Sequence, residues 1–148
     1  MRVADRQALR LDLMAHEGSG PMKFGRHFPY RCPAGKLTIG YGRNLDDVGI
    51  SAEEARDLLD DDINDCLRDL GTFPWFGSLD PIRQRALVNM RFQLGPQGFR
   101  GFRHMLAALE IGAYAMAAVE ARDSKWARTD SPARARTVTA MLETGREA

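Results

Sequence analysis

Residues 51 to 70 constrain the fold most. Ser51 is followed three residues later by Glu54, the spacing at which a hydroxyl and a carboxylate reciprocally cap backbone N–H groups at a helix start. Behind this pair Ala55, Leu58, Leu59, Ile63, Cys66, Leu67 and Leu70 recur at three- and four-residue intervals and so share one helical face. The pattern predicts a long helix over 52–70, with Cys66 on its apolar stripe as a core residue.

The chain on either side is punctuated differently. Ala4, Leu9 and Leu13 recur at helical spacing, so residues 3 to about 16 read as a short amphipathic helix, broken by Gly18, Gly20, Pro21 and Gly25. Residues 28 to 45 read as a hairpin. Pro33 suits the second position of a turn, Gly35 follows, and Leu37, Ile39 and Tyr41 alternate with polar or small residues. After the long helix comes a break rich in aromatics (Phe73, Trp75, Phe76). Asp80-Pro81 then opens a helix carrying Ile82, Ala86, Leu87 and Met90 as far as Gly95. A glycine-rich loop leads to Phe102, Met105, Leu106 and Leu109, then Met116 and Val119. Ser131-Pro132 opens a last helix with Val138, Met141 and Leu142, stopped by Gly145.

These elements predict an α+β, predominantly helical chain folding as one domain over 1–148. A hairpin lobe occupies about 17–50, the long helix 52–70 and a helical lobe about 80–145. If the long helix connects the lobes, a cleft lies between them. At 148 residues the chain can bury a sizeable core, and its 44% apolar and 28% charged residues suit a globular protein. The net charge of +1 offers no global electrostatic case for nucleic acid. Lys125, Arg128, Arg134 and Arg136 could line a basic face for an anionic polymer such as a bacterial wall, or simply a solvated surface. No apolar run reaches membrane-spanning length, and the charged start is not a secretion signal, so synthesis in a reducing cytoplasm is expected. Two cysteines at unrelated spacing make neither a metal motif nor a disulfide framework, and no cofactor is implied.

One acid stands out. Glu17 ends the apolar first helix and enters a glycine segment, and no other carboxylate occurs between it and Asp46. Splitting a glycosidic bond needs a proton donor on the leaving oxygen and a group that handles water or positive charge on the other side. A half-buried Glu17 would serve as the donor. Cys32 and Thr38 flank the same tight turn, which places them close across two strands. Thr38 can hold a water, while Cys32 is a weak acceptor or, as thiolate, a base. Asp46 and Asp47 read as turn residues.

At these residues the chain resembles the phage-type lysozymes, the muramidase endolysins of tailed bacteriophages. The resemblance is carried by His16-Glu17-Gly18, Tyr30-Arg31-Cys32, Gly35-Lys36-Leu37-Thr38-Ile39-Gly40-Tyr41-Gly42, Asn89-Met90-Arg91-Phe92-Gln93-Leu94-Gly95, Ser124-Lys125-Trp126 and Pro132-Ala133-Arg134-Ala135-Arg136. These segments run through nearly the whole chain in the family's order. The resemblance implies a lysozyme-like two-lobed fold and hydrolysis of the β-1,4 bond between N-acetylmuramic acid and N-acetylglucosamine in peptidoglycan. Glu17 matches the general acid and Thr38 the water-holding threonine. Cys32 stands where the family usually has an aspartate. Arg134 matches a basic residue that pairs with the catalytic glutamate. Phe92, Gln93 and Asn44 match cleft positions, with Phe102 and Glu120 aligning loosely to further sugar contacts.

The family further implies a monomer made in the host cytoplasm that reaches the wall after membrane permeabilisation. Two departures matter. Cysteine replaces aspartate, and the spacing from Glu17 to Cys32 is longer than usual, the extra residues falling in Gly18 to Phe28. A lytic transglycosylase acting on the same bond and a non-catalytic peptidoglycan-binding module are the alternative readings.

Overall fold

The computed structural model describes residues 1–148, and the chain divides into two compact units, Met1–Arg56 and Asp57–Ala148. The architecture is α+β and mainly helical.

The first unit holds α1 (Val3–Glu17), five short strands and the start of α2 (Ala52–Leu70). α1 stops at Gly18, whose φ of 70° ends the helix while its N–H still reaches the Met14 carbonyl at 3.1 Å. Strands β1 (Met22–Lys23) and β2 (Arg26–His27) pair as a small antiparallel hairpin. Strands β3 (Tyr30–Arg31), β4 (Leu37–Ile39) and β5 (Arg43–Asn44) form an antiparallel sheet in that order. The expected hairpin over 28–45 is therefore a three-stranded meander. Gly40 and Gly42, at φ of 62° and 83°, turn the chain straight after Ile39 and put Tyr41 in the turn rather than on a strand.

The expected apolar alternation is also reversed. Thr38 is 3% exposed and is the single buried residue of this unit, whereas Leu37 and Ile39 are half-buried. No side chain of α1 is buried, and Leu9 and Leu13 stay nearly half exposed.

Local polar contacts fix the unit instead of a core. Asp46 accepts the Leu37 N–H at 2.8 Å and Asn44 accepts the Asp47 N–H at 3.0 Å, as befits turn residues. Lys36 pairs with Asp47 at 2.8 Å and Arg43 with Glu54 at 2.8 Å. The helix start forms as read. Glu54 accepts the Ser51 N–H at 2.7 Å, and Ser51 Oγ accepts the Glu54 N–H at 3.0 Å. These contacts, the Ser51 backbone bond first, hold the Glu54 carboxyl below its ordinary range.

The second unit is packed conventionally. The rest of α2 leads through a short 3-10 turn (Phe76–Ser78) into α3 (Pro81–Arg100), α4 (Arg103–Glu110), α5 (Tyr114–Arg122), a wide turn at Trp126–Asp130 and α6 (Pro132–Thr144). Asp80 caps α3 by accepting the Arg83 N–H at 3.0 Å, ahead of Pro81. Gly95 (φ 70°, ψ 171°) breaks α3, and helix resumes through Pro96 to Arg100 where the sequence suggested a loop.

Leu70, Leu87, Met90, Phe99, Leu109 and Leu142 are fully enclosed in one core with Trp126 and Val138. Cys66 is buried as expected, and burial pushes its thiol up. α5 departs from the reading. Met116 and Val119 are exposed, and Ala117, Ala118 and Ala121 face inward where α5 packs between α4 and α6. Side chains of that size let the helix backbones approach closely.

Arg83 closes the bundle. Its guanidinium donates to the Leu142 carbonyl at 2.8 Å and the Glu143 carbonyl at 2.9 Å, and it lies 3.8 Å from the centre of the Tyr114 ring. Gly145 ends α6 at φ 66°, where a Cβ would meet Arg83 Nη1.

Candidate active site

In the first unit Glu17 is seated by the end of α1 and by Gly42. A Cβ at residue 42 would lie 2.9 Å from Glu17 Oε2 and 3.2 Å from its carboxyl carbon. A side chain there would push the Glu17 carboxylate aside, and the φ of 83° favours glycine independently. Glu17 is exposed rather than half-buried as the sequence suggested. Gly42 leads directly into β5, whose Asn44 lies opposite Thr38, and Thr38 on its other side faces Tyr30. One small sheet thus links the carboxylate's seat to the threonine.

Cys32 opens the turn beyond β3. Gly35 N–H donates to the Cys32 carbonyl at 2.7 Å and the Cys32 N–H donates to the Lys36 carbonyl at 3.0 Å, so Pro33 takes the second turn position as read. The half-exposed thiol is held below its ordinary value. The Lys36 backbone N–H is the main cause, opposed by some desolvation and reinforced by the Ala34 backbone and the Thr38 hydroxyl. Thr38 Oγ1 also sits 3.0 Å from the Lys36 carbonyl. Its proton goes to that carbonyl, while its lone pairs can still accept. Asn44 is tied to Asp47 through its amide as well, at 3.0 Å.

The remaining expected residues lie in the second unit. Phe92 and Arg134, both exposed, line a groove of about 520 Å³ with Leu59, Ile63, Leu67 and Val88. Gln93 is held from both sides. Its carbonyl accepts the Trp126 indole N–H at 2.8 Å, and its amide donates to Ser131 Oγ. Phe102 and Glu120 line a separate pocket of about 500 Å³ that also includes His104, Lys125 and Trp126. No group of three or more His, Cys, Asp or Glu side chains gathers as a metal-ligand set. No helix is long and apolar enough to cross a membrane.

Two residues gained significance only in three dimensions. Gly42 shapes the seat of Glu17; its one sequence signal was a glycine pair interrupting a strand pattern, which marks a close backbone approach. Trp126 fixes Gln93, and nothing local joined residues so far apart.

The phage lysozyme family model matches residues 24–147. The chain belongs to the phage lysozyme family. The match takes in Cys32, Thr38, Asn44, Phe92, Gln93 and Arg134 and begins after Glu17. Among curated proteins, the pre-baseplate central spike protein Gp5 of Enterobacteria phage T4 is 36% identical over 100 residues, which cover 65% of this chain and 17% of that protein. Probable T4-type lysozymes 2 and 1 of Dictyostelium discoideum are 33% and 30% identical over 100 residues, each covering 65% of this chain and 58% of the relative. The chain thus spans between 17% and 58% of the length of these relatives.

Proposed function

We propose that this phage lysozyme family member is a glycoside hydrolase that cuts the β-1,4 bond between N-acetylmuramic acid and N-acetylglucosamine in bacterial peptidoglycan. The observation that carries the reading is the seat of the Glu17 carboxylate against Gly42, on the sheet that bears Thr38 and ends in the Cys32 turn. Glu17 gives its proton to the leaving glycosidic oxygen as the carbon–oxygen bond breaks. A water held by Thr38 and Cys32 attacks the anomeric carbon from the opposite face, and its proton passes to the Cys32 thiolate. Attack from the opposite face inverts the anomeric configuration. Glu17 ends ionised, Cys32 ends as a thiol, and exchange with solvent restores both.

A lowered thiol pKa supports this part for Cys32, since it raises the thiolate fraction near neutral pH. Asn44, Phe92, Gln93 and Arg134 are assigned to substrate binding, and the protein is assigned an endolysin role, reaching the wall from the host cytoplasm as a monomer.

Turbidity loss of permeabilised Gram-negative cells tests the assignment. Glu17→Gln abolishes lysis while leaving the circular dichroism spectrum unchanged. Cys32→Asp matches or exceeds the wild type, and Cys32→Ser falls well below it. Full lysis by Glu17→Gln overturns the acid assignment. A wild type that sediments with peptidoglycan and never clears it supports a binding module instead.

A further inference from the structure

The segment between α1 and β3 carries a feature that the proposed chemistry does not use. The hairpin of β1 and β2 turns through Phe24 and Gly25, with φ of 53° and 72°. Two positive φ values in a two-residue loop suit Asn-Gly or Asp-Gly, and phenylalanine is a poor occupant of the first site. The Phe24 ring gains no packing in return, because the residue is 99% exposed. Met22 beside it is about half exposed.

The base of the hairpin is firmly tied. Phe28 N–H donates to the Pro21 carbonyl at 2.9 Å, His27 Nδ1 lies 2.9 Å from the Ser19 carbonyl, and the His27 ring meets the Tyr41 ring edge-on at 5.2 Å. Gly20 passes so close to Tyr30 that a Cβ there would lie 2.7 Å from its ring carbon Cδ1. A rigid base holding a bare aromatic ring in a disfavoured conformation is the pattern of a contact residue rather than of a structural one.

The chemistry around the ring indicates its partner. The hairpin carries Lys23, Arg26 and His27, and no carboxylate occurs between Glu17 and Asp46. Tyr41, which receives His27, is the chain neighbour of Gly42, on which Glu17 is seated. The surface is thus aromatic at its tip, cationic on its flank and anchored one residue from the glycine that seats the proposed acid.

We propose that the Phe24 hairpin is a substrate-anchoring element that stacks its ring on the apolar face of a peptidoglycan sugar while Lys23 meets stem-peptide carboxylates. This rests on the glycosidase reading and adds to it a contact made by the extra segment.

Retention on purified sacculi tests it in a Glu17→Gln background, so that binding is read without cleavage. Phe24→Asn suits the backbone better and should raise thermal stability, yet retention falls about fivefold. Phe24→Trp restores retention, and Lys23→Ser weakens it and its salt dependence. Equal retention by Phe24→Asn overturns the proposal, as does a Phe24 dependence found only on anionic phospholipid vesicles. Failure of the glycosidase reading would appear separately, as a wild type that sediments with peptidoglycan and never clears it.

Discussion

The two units of this chain are stabilised in opposite ways. The second encloses Leu70, Leu87, Met90, Phe99, Leu109 and Leu142 almost completely. The first buries only Thr38 and relies on turn hydrogen bonds, ion pairs and glycines at positive φ. The unit holding the proposed acid, thiol and hydroxyl is therefore the one with least apolar packing. Its geometry depends on backbone conformation, so small changes there should disturb the chemistry more than the stability, and core changes in the second unit should do the reverse.

The largest expected effect is on the packed side. Phe99→Ala removes a fully buried ring and should cost about 3–5 kcal/mol in denaturant unfolding. A loss near that of a surface substitution would remove the contrast. Next, Gly42→Ala forces a Cβ toward Glu17 in a conformation glycine alone adopts easily. It should cost about 1–2 kcal/mol in stability yet remove most lysis. Lysis that falls only in step with stability would show that the seat of Glu17 is unimportant.

Ser51→Ala, at the reciprocal cap, should cost about 1 kcal/mol. Because the folded Glu54 carboxyl lies below its unfolded value, its contribution is fully present above the unfolded value of about 4.3 and disappears as the pH drops through the folded one. The melting temperature of the wild type should thus decline through this acid range more steeply than that of Glu54→Gln, which has no carboxyl to titrate, and parallel curves would refute the cap's role. The smallest perturbation compares the two cysteines. Iodoacetamide should label Cys32 readily, with a reaction midpoint below that of a free thiol, and should leave the enclosed Cys66 unlabelled until unfolding. Equal labelling would contradict both assignments.

What was legible in the sequence was local. The Ser51–Glu54 cap, the Asp80-Pro81 helix start, the Cys32–Gly35 turn and the Gly145 stop each depend on residues a few positions apart, and each formed. The stripe Leu87, Met90, Leu109 and Leu142 was legible because large apolar side chains seek the core. Other readings failed where geometry outweighed hydropathy. Met116 and Val119 gave way to three alanines because close helix contact selects small side chains. Leu37 and Ile39 yielded the interior to Thr38 because the strand is only three residues long and ends at a glycine turn. The seat of Glu17 on Gly42 joins residues 25 positions apart and leaves no periodic trace. The family resemblance pointed to Glu17, Cys32 and Thr38 together as candidates, which spacing alone could not.

The most direct test of the central claim is mass analysis of the muropeptides released from purified sacculi by the wild type and by Glu17→Gln. The account predicts reducing products from the wild type, each carrying the added water, and no products from Glu17→Gln. Anhydro sugars from the wild type, or undiminished release by Glu17→Gln, would contradict it.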